Sequence, residues 1–150
     1  MGQNQYGSYD AEILTAKDAN AALTPTAYNA TAGDLHVITA RRPLWVMGVG
    51  CEVTTAYTAP STAQVVSLDF RPSYGSDTGR VEKATVTMDT ARAAGTVIHK
   101  LIDGFKVLPG QQIVIEQKTA GSGGAGAANW FILVSPVPES AKNCPNLVVL

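Results

Sequence analysis

Histidine, cysteine and clustered carboxylates are the side chains through which a chain of this size binds a metal or moves a proton, and they are scarce here. There are two histidines, His36 and His99, and two cysteines, Cys51 and Cys144. A structural zinc ion takes four nitrogen or sulfur ligands, and a catalytic one takes three. Neither histidine has a second His, a Cys or a paired carboxylate at ligand spacing. Each therefore reads as a hydrogen-bonded or solvated strand histidine, and no metal site is expected. Nucleophilic catalysis finds no better footing. No serine lies in a G-x-S-x-G elbow. Cys51 stands between Gly50 and Glu52, with no neighbouring cation to lower its pKa. Asp10 and Glu12 are close in sequence, but acid–base work needs rigidly held groups, and their segment is loosely patterned. No catalytic, cofactor-binding or metal residue is assigned, and the chain is not expected to be an enzyme.

Gly121, Gly123 and Gly126 spell G-x-G-x-x-G. The phosphate-binding form of that pattern needs a helix N-terminus after it, whose free N–H groups and dipole face the anion. The residues that follow, AANWFILVSP, read as a strand, so a hairpin or corner loop is expected and no cofactor. The triplet Asn29-Ala30-Thr31 is a glycosylation sequon by pattern alone. Trp45 and Trp130 lie among apolar neighbours and are expected in the core; a sugar-binding platform is the alternative. Arg41-Arg42 reads as a solvated strand end.

The elements that position these residues are strands. In residues 44–57, LWVMGVGCEVTTAY, one parity holds Trp45, Met47, Val49, Cys51, Val53 and Tyr57, as in a strand with one buried face. Gly48 and Gly50, on the other parity, suggest a bulge, a bend or a close neighbour. QVVSLDF turns Val66, Leu68 and Phe70 one way; RVEKATVTMD does the same with Ala84, Val86 and Met88. TVIHKLI and QIVIEQKT follow, separated by the turn signal Pro109-Gly110. NWFILVSPVP is apolar on both parities, and the tail ends in NLVVL. Seven or eight short strands broken by Gly and Pro, with no convincing long helix, predict an all-β fold: a jelly-roll-like β-sandwich over residues 34–150. An immunoglobulin-like sandwich is the alternative, but Cys51 and Cys144 do not flank a tryptophan at its spacing. Residues 1–33 are polar and rich in Thr, Ala, Gly and Pro, and they read as an N-terminal arm or a loosely attached segment; an edge strand is the alternative.

The totals bound the partners. In 150 residues, Lys and Arg number 11 and Asp and Glu 12, a net charge of −1. No basic stripe marks a nucleic-acid surface. No apolar run approaches the ~20 residues of a membrane span, and no basic-then-apolar leader opens the sequence. A protein made in the cytoplasm, bound to neither nucleic acid nor membrane, is expected. Charged residues are 15% of the chain, below the ~25% of ordinary domains. Such a surface is either solvated by hydroxyls or covered by a partner.

From about residue 45 to residue 140 a series of short motifs resembles a family of small tailed-bacteriophage virion proteins, whose members include capsid decoration, or cement, proteins. The motifs are, in order, GVGCEVTTAYTAP, VVSLDFRPSYGSDTG, AAGTVIHK, VLPGQQIVIE and SPVPES. Gln112 stands where the pattern would carry an acid, and the first 33 residues lie outside the match. The resemblance implies a β-sandwich that binds the outside of the virion head and stabilises it. Its partners would be the major capsid protein and further copies of itself, as a trimer or a dimer. A tail or connector location, or a carbohydrate- or receptor-binding sandwich, is the competing reading.

Overall fold

The computed structural model describes residues 12–14 and 25–136. Among the described residues there are nine strands: β1 (Glu12–Leu14), β2 (Thr26–Ala27), β3 (Gly33–Thr39), β4 (Leu44–Thr55), β5 (Gln64–Arg71), β6 (Val81–Met88), β7 (Val97–Val107), β8 (Gln112–Thr119) and β9 (Ala127–Pro136). They form two antiparallel sheets, one ordered β1-β9-β4-β7 with β2 also on β9, the other β3-β8-β5-β6. Leaving aside β2, eight strands are dealt between two four-stranded sheets in jelly-roll order. The expected all-β sandwich is the fold.

Alternation explains most of the core. Val66, Leu68 and Phe70 of β5, Ala84, Val86 and Met88 of β6, and Ile113 and Ile115 of β8 face Val49, Cys51 and Val53 of β4 and Ala128, Trp130, Ile132 and Val134 of β9. Between the sheets, Lys100 Nζ donates to the Thr85 carbonyl at 3.0 Å, and Lys83 Nζ sits 5.1 Å from the Phe105 ring. These lysines seal the open side between edge strands β6 and β7, a common way to blunt an edge.

β4 departs from simple alternation. Its register against both neighbours shifts between Val46 and Gly48. A one-residue bulge reverses which side chains point inward. Leu44 and Val46 are therefore buried before it, and Val49, Cys51 and Val53 after it. Trp45, expected in the core, lies instead on the outer face, with its indole over Gly104 of β7. Gly104 holds φ +85°, and a Cβ there would stand 2.3 Å from Trp45 Nε1. Trp130 is in the core, 1% exposed. Gly50 has the close neighbour its sequence context suggests, since a Cβ would stand 2.6 Å from the Phe131 ring.

β7 runs on through Asp103 and Gly104, past the point where the sequence suggests a break, and the turn at Pro109-Gly110 then closes with Gln111 N donating to the Leu108 carbonyl. Within the first 33 residues, where the sequence suggests an arm, β1 pairs Ile13 with Leu133, β2 pairs Thr26 with Ala128, and Tyr28 is buried in the core. The NLVVL tail, Cys144 and Asp10 lie outside the described residues.

Candidate interaction surface

The residues considered for chemistry are not brought together. His36 is on β3 and His99 on β7, in different sheets. His36 is half-buried, and desolvation holds its pKa below the ordinary histidine value. Cys51 is fully buried, and burial pushes its thiol up to about 12, which leaves it a core residue. Among the described residues no group of three or more His, Cys, Asp or Glu could hold a metal. Gly121, Gly123 and Gly126 lead into strand β9, not into a helix, so the phosphate-binding geometry is missing. Arg41 and Arg42 are exposed on the β3–β4 connection.

The charged chemistry is concentrated on the outer face of the second sheet. Ser67, Asp69 and Arg71 of β5 point away from the core, yet all three are buried. The β5–β6 loop, residues 72–80, crosses that face and is pinned to it by two arginines. Arg71 donates to Asp77 Oδ1 through Nη2 at 2.6 Å and Nε at 3.0 Å, and to Asp34 Oδ2 through Nη2 at 2.9 Å. Arg80 donates through Nε to Asp69 Oδ2 at 2.7 Å, and through Nη2 to Glu116 Oε2 at 2.6 Å. Its Nη1 reaches Asp34 Oδ1 at 2.9 Å and Asp77 Oδ1 at 3.2 Å. Gln112 holds the loop from below. Its Oε1 accepts from Gly75 N at 2.9 Å, and its Nε2 donates to Thr39 Oγ1 at 2.9 Å. Asp77, isolated in the sequence, is thus tied to both arginines.

The electrostatics follow from this geometry. Burial lowers the affinity of each guanidinium for its proton, but the carboxylate hydrogen bonds outweigh it, and both arginines sit above their ordinary pKa. The hydrogen bond from Arg71, then that from Arg80, holds Asp77 below the ordinary carboxylate value. Desolvation raises Glu116, and the neighbouring Asp69 carboxylate acts in the same direction. The enclosure of Asp69 is strict: its side chain is 3% exposed and Oδ1 has no partner. Two guanidiniums against Asp34, Asp69, Asp77 and Glu116 leave an excess of negative charge when all four are ionised.

What the clamp presents to solvent is Tyr74. Its side chain is 77% exposed, more than any other large apolar residue described. The loop around it is fixed by local hydrogen bonds as well, Ser76 N to the Ser73 carbonyl and Arg80 N to the Asp77 carbonyl. Desolvating ion pairs is costly and adds little net stability, whereas a loop ordered in advance loses little entropy when it binds. The clamp thus holds an exposed aromatic ring in a fixed place. Sequence reading passed over Arg71, Arg80, Asp34, Asp69 and Glu116, and took Asp77 only as an isolated carboxylate. The available signal was the outward parity of Ser67, Asp69 and Arg71 on a strand whose other parity is core.

A second surface lies on the opposite side of the sandwich. Across β7, β4 and β9 the outward rows are Val97, Glu52 and Asn129, then His99, Gly50 and Phe131, then Leu101, Gly48 and Leu133. Val97 is 57% exposed and Leu101 63%. Phe131 covers Gly50 and is itself only 8% exposed.

No family model matches the chain, and no curated protein matches it. Among solved structures it is similar to a chain in the structure of infectious bursal disease virus, Gx strain, at 13% identity and a TM-score of 0.30. The similarity covers 84% of this chain, which spans about a third of the other, 32% of its length.

Proposed function

We propose that this chain is a structural protein of a virus particle, and within that class a bacteriophage capsid decoration protein. It binds the outside of the head, takes the major capsid protein as its partner, and strengthens the shell without catalysing a reaction. The observation that carries this reading is the clamped β5–β6 loop, in which buried ion pairs hold an exposed tyrosine in a fixed place. Tyrosine is among the residues that dominate protein interfaces, because a rigid ring brings much contact area for two torsions. The order of motifs shared with small tailed-phage virion proteins supports the same reading, as does the charge-poor composition. A shell offers the same site many times, and repetition turns individually modest contacts into firm attachment.

The test is reconstitution. Heads that lack this protein are mixed with the purified chain, pelleted, and assayed for bound protein and for release of DNA on heating. Binding to the heads and a higher temperature of DNA release are expected, with Tyr74→Ala reducing binding at unchanged fold. Binding to tails only, or equal robustness of bare and decorated heads, would overturn the assignment.

A further inference from the structure

Arg80 binds two different carboxylates along one edge of its guanidinium. Nε donates to Asp69 Oδ2 at 2.7 Å, and Nη2 donates to Glu116 Oε2 at 2.6 Å. That edge is spaced for the two oxygens of a single carboxylate. Filling it from two side chains sets the carboxyl groups of Asp69 and Glu116 side by side. The sheet leads to the same place, since Glu116 of β8 pairs with Ser67 of β5, two residues before Asp69 on the same outer face. The Asp69 side chain is 3% exposed, and its Oδ1 has no donor among the described residues. The hydroxyl two residues along the strand does not supply one, because Ser67 Oγ is itself without a partner. An ionised oxygen sealed from water with no donor is costly. A second ionised carboxylate beside it adds repulsion. One proton between the two groups removes both costs.

We propose that Asp69 and Glu116 share one proton, which Glu116 donates to the Asp69 carboxylate, and that this bond is a latch on the β5–β6 loop, closed while the pair holds its proton and loosened when the proton leaves. The other charges on this face are Asp34 of β3, Arg71 of β5, Asp77 and Arg80 of the loop, Glu82 of β6 and Lys118 of β8. Asp34 and Asp77 are tied to the two arginines, and Glu82 to Lys118 at 2.8 Å. With every group ionised, five carboxylates face three cations, and the shared proton halves the excess. His36 is also on β3 but pairs with Ile115, a core residue, so it lies on the other face of the sheet. Desolvation, with the Asp69 carboxylate acting the same way, holds Glu116 above its ordinary value, the direction that a shared proton requires. Glu116 is the more open member at 26% exposure, so the proton leaves to solvent from there. Because the folded pKa is the raised one, the latch is closed at low pH and is lost as pH rises through that value. Ionisation then crowds two charges against one guanidinium at the base of the loop that carries Tyr74. That Tyr74 is a contact residue rests on the reading of this chain as an assembly protein; the shared proton does not.

Carbon-13 NMR of the side-chain carboxyls of the full chain, titrated from about pH 4 to about pH 8, tests the pair. Glu116 is expected to titrate above its ordinary 4.5, with the Asp69 signal moving at the same midpoint. In Glu116→Gln, whose amide is a donor at every pH, that step in the Asp69 signal should vanish. Hydrogen exchange of the Gly75 amide, which donates to Gln112 Oε1, reads the latch. Its protection, corrected for the intrinsic pH dependence of exchange, should fall about tenfold across the shared midpoint in the wild type and stay level in Glu116→Gln. Circular dichroism checks that the variant is folded, and the wild-type carboxyl titration decides the pair without it. Glu116 titrating at or below 4.5 with Asp69 unmoved would overturn the shared proton. A joint titration with level Gly75 protection in the wild type would overturn the latch. Head binding is scored separately: a joint titration in a protein that binds no heads removes the decoration reading and leaves the proton pair standing.

Discussion

Arg80 Nε donates to Asp69 Oδ2 at 2.7 Å, while the other oxygen of that carboxylate is sealed from water with no donor of its own. The pair is one of the ties that fasten the β5–β6 loop to the sheet, beside Arg71–Asp77 and Gly75–Gln112. Removing the guanidinium leaves a charge in a site that is 3% exposed. Breaking one side of a buried ion pair costs about 3–5 kcal/mol, and Arg80→Met should lose about that much in urea denaturation. The double substitution Arg80→Met/Asp69→Leu should recover a large part of it, because no charge is then stranded. A loss below about 1 kcal/mol for Arg80→Met would show that the loop is held by other means.

Most of the sandwich was legible because its strands obey the two-residue period. Val66, Leu68 and Phe70 and then Ile113 and Ile115 could be placed from parity alone. The same rule failed at Trp45, since a single bulged residue at Met47 reverses the parity of everything before it. Parity also carried unused information. Gln64 and Gln117 fall on the core side of their strands, where Tyr57 Oη donates to Gln64 Oε1 and Gln64 Nε2 to Gln117 Oε1, each at 2.8 Å. The clamp was invisible for a different reason. Its members come from β3, β5, the β5–β6 loop and β8, and no local spacing announces a contact that only the sheet order creates. Asp34 and Arg80 are 46 residues apart and bonded at 2.9 Å.

The titration of the clamp should run in two steps of opposite sign. Glu116 has its folded pKa raised above the ordinary 4.5 by desolvation, so the folded state holds that proton more tightly than the unfolded chain. Its contribution to stability is present in full below about 4.5 and is lost as pH rises through the folded value. Asp77 is the reverse. Its folded pKa is held below the ordinary 3.8 by Arg71, and its contribution is present above that value and lost as pH falls through the lowered one. Urea midpoints measured against pH should therefore improve on mild acidification before they fall. Glu116→Gln should remove the first limb and leave the second. A profile that falls steadily from neutral pH in both proteins would contradict this.

Cys51 should be chemically silent in the native protein. It is fully buried, and its thiol is pushed up to about 12 by desolvation, so almost no thiolate exists at neutral pH. In a Cys144→Ser background, an aromatic disulfide reagent should label nothing in buffer and one thiol per chain in denaturant. Rapid native labelling would mean that the β4–β9 region opens easily, contrary to its place at the centre of the first sheet.

Tyr28 decides how much of the N-terminal segment belongs to the domain. Composition gives no reason to bury it, since it is a single aromatic among Thr, Ala, Pro and Gly. Yet it is 1% exposed, and its hydroxyl donates to the Thr62 carbonyl. Its ring meets that of Tyr57 edge to face at 5.5 Å, and its backbone bonds Gly126 and Gly121 on the facing loop. Gly121 is glycine for this ring, because a Cβ there would stand 2.1 Å from it. Tyr28→Ala should cost about 3–5 kcal/mol, as for other large buried aromatics. Tyr28→Phe should cost about 1 kcal/mol, since the Thr62 carbonyl loses the hydroxyl but keeps the Ser122 N–H at 3.0 Å. Deletion of residues 1–20 spares Tyr28 and β2, so the shortened protein is expected to fold with only a modest loss in urea midpoint, from β1. If Tyr28→Ala is nearly neutral instead, the segment up to β3 behaves as the loosely attached arm that its composition suggests. If the deletion abolishes folding, β1 carries more of the first sheet than its three residues imply.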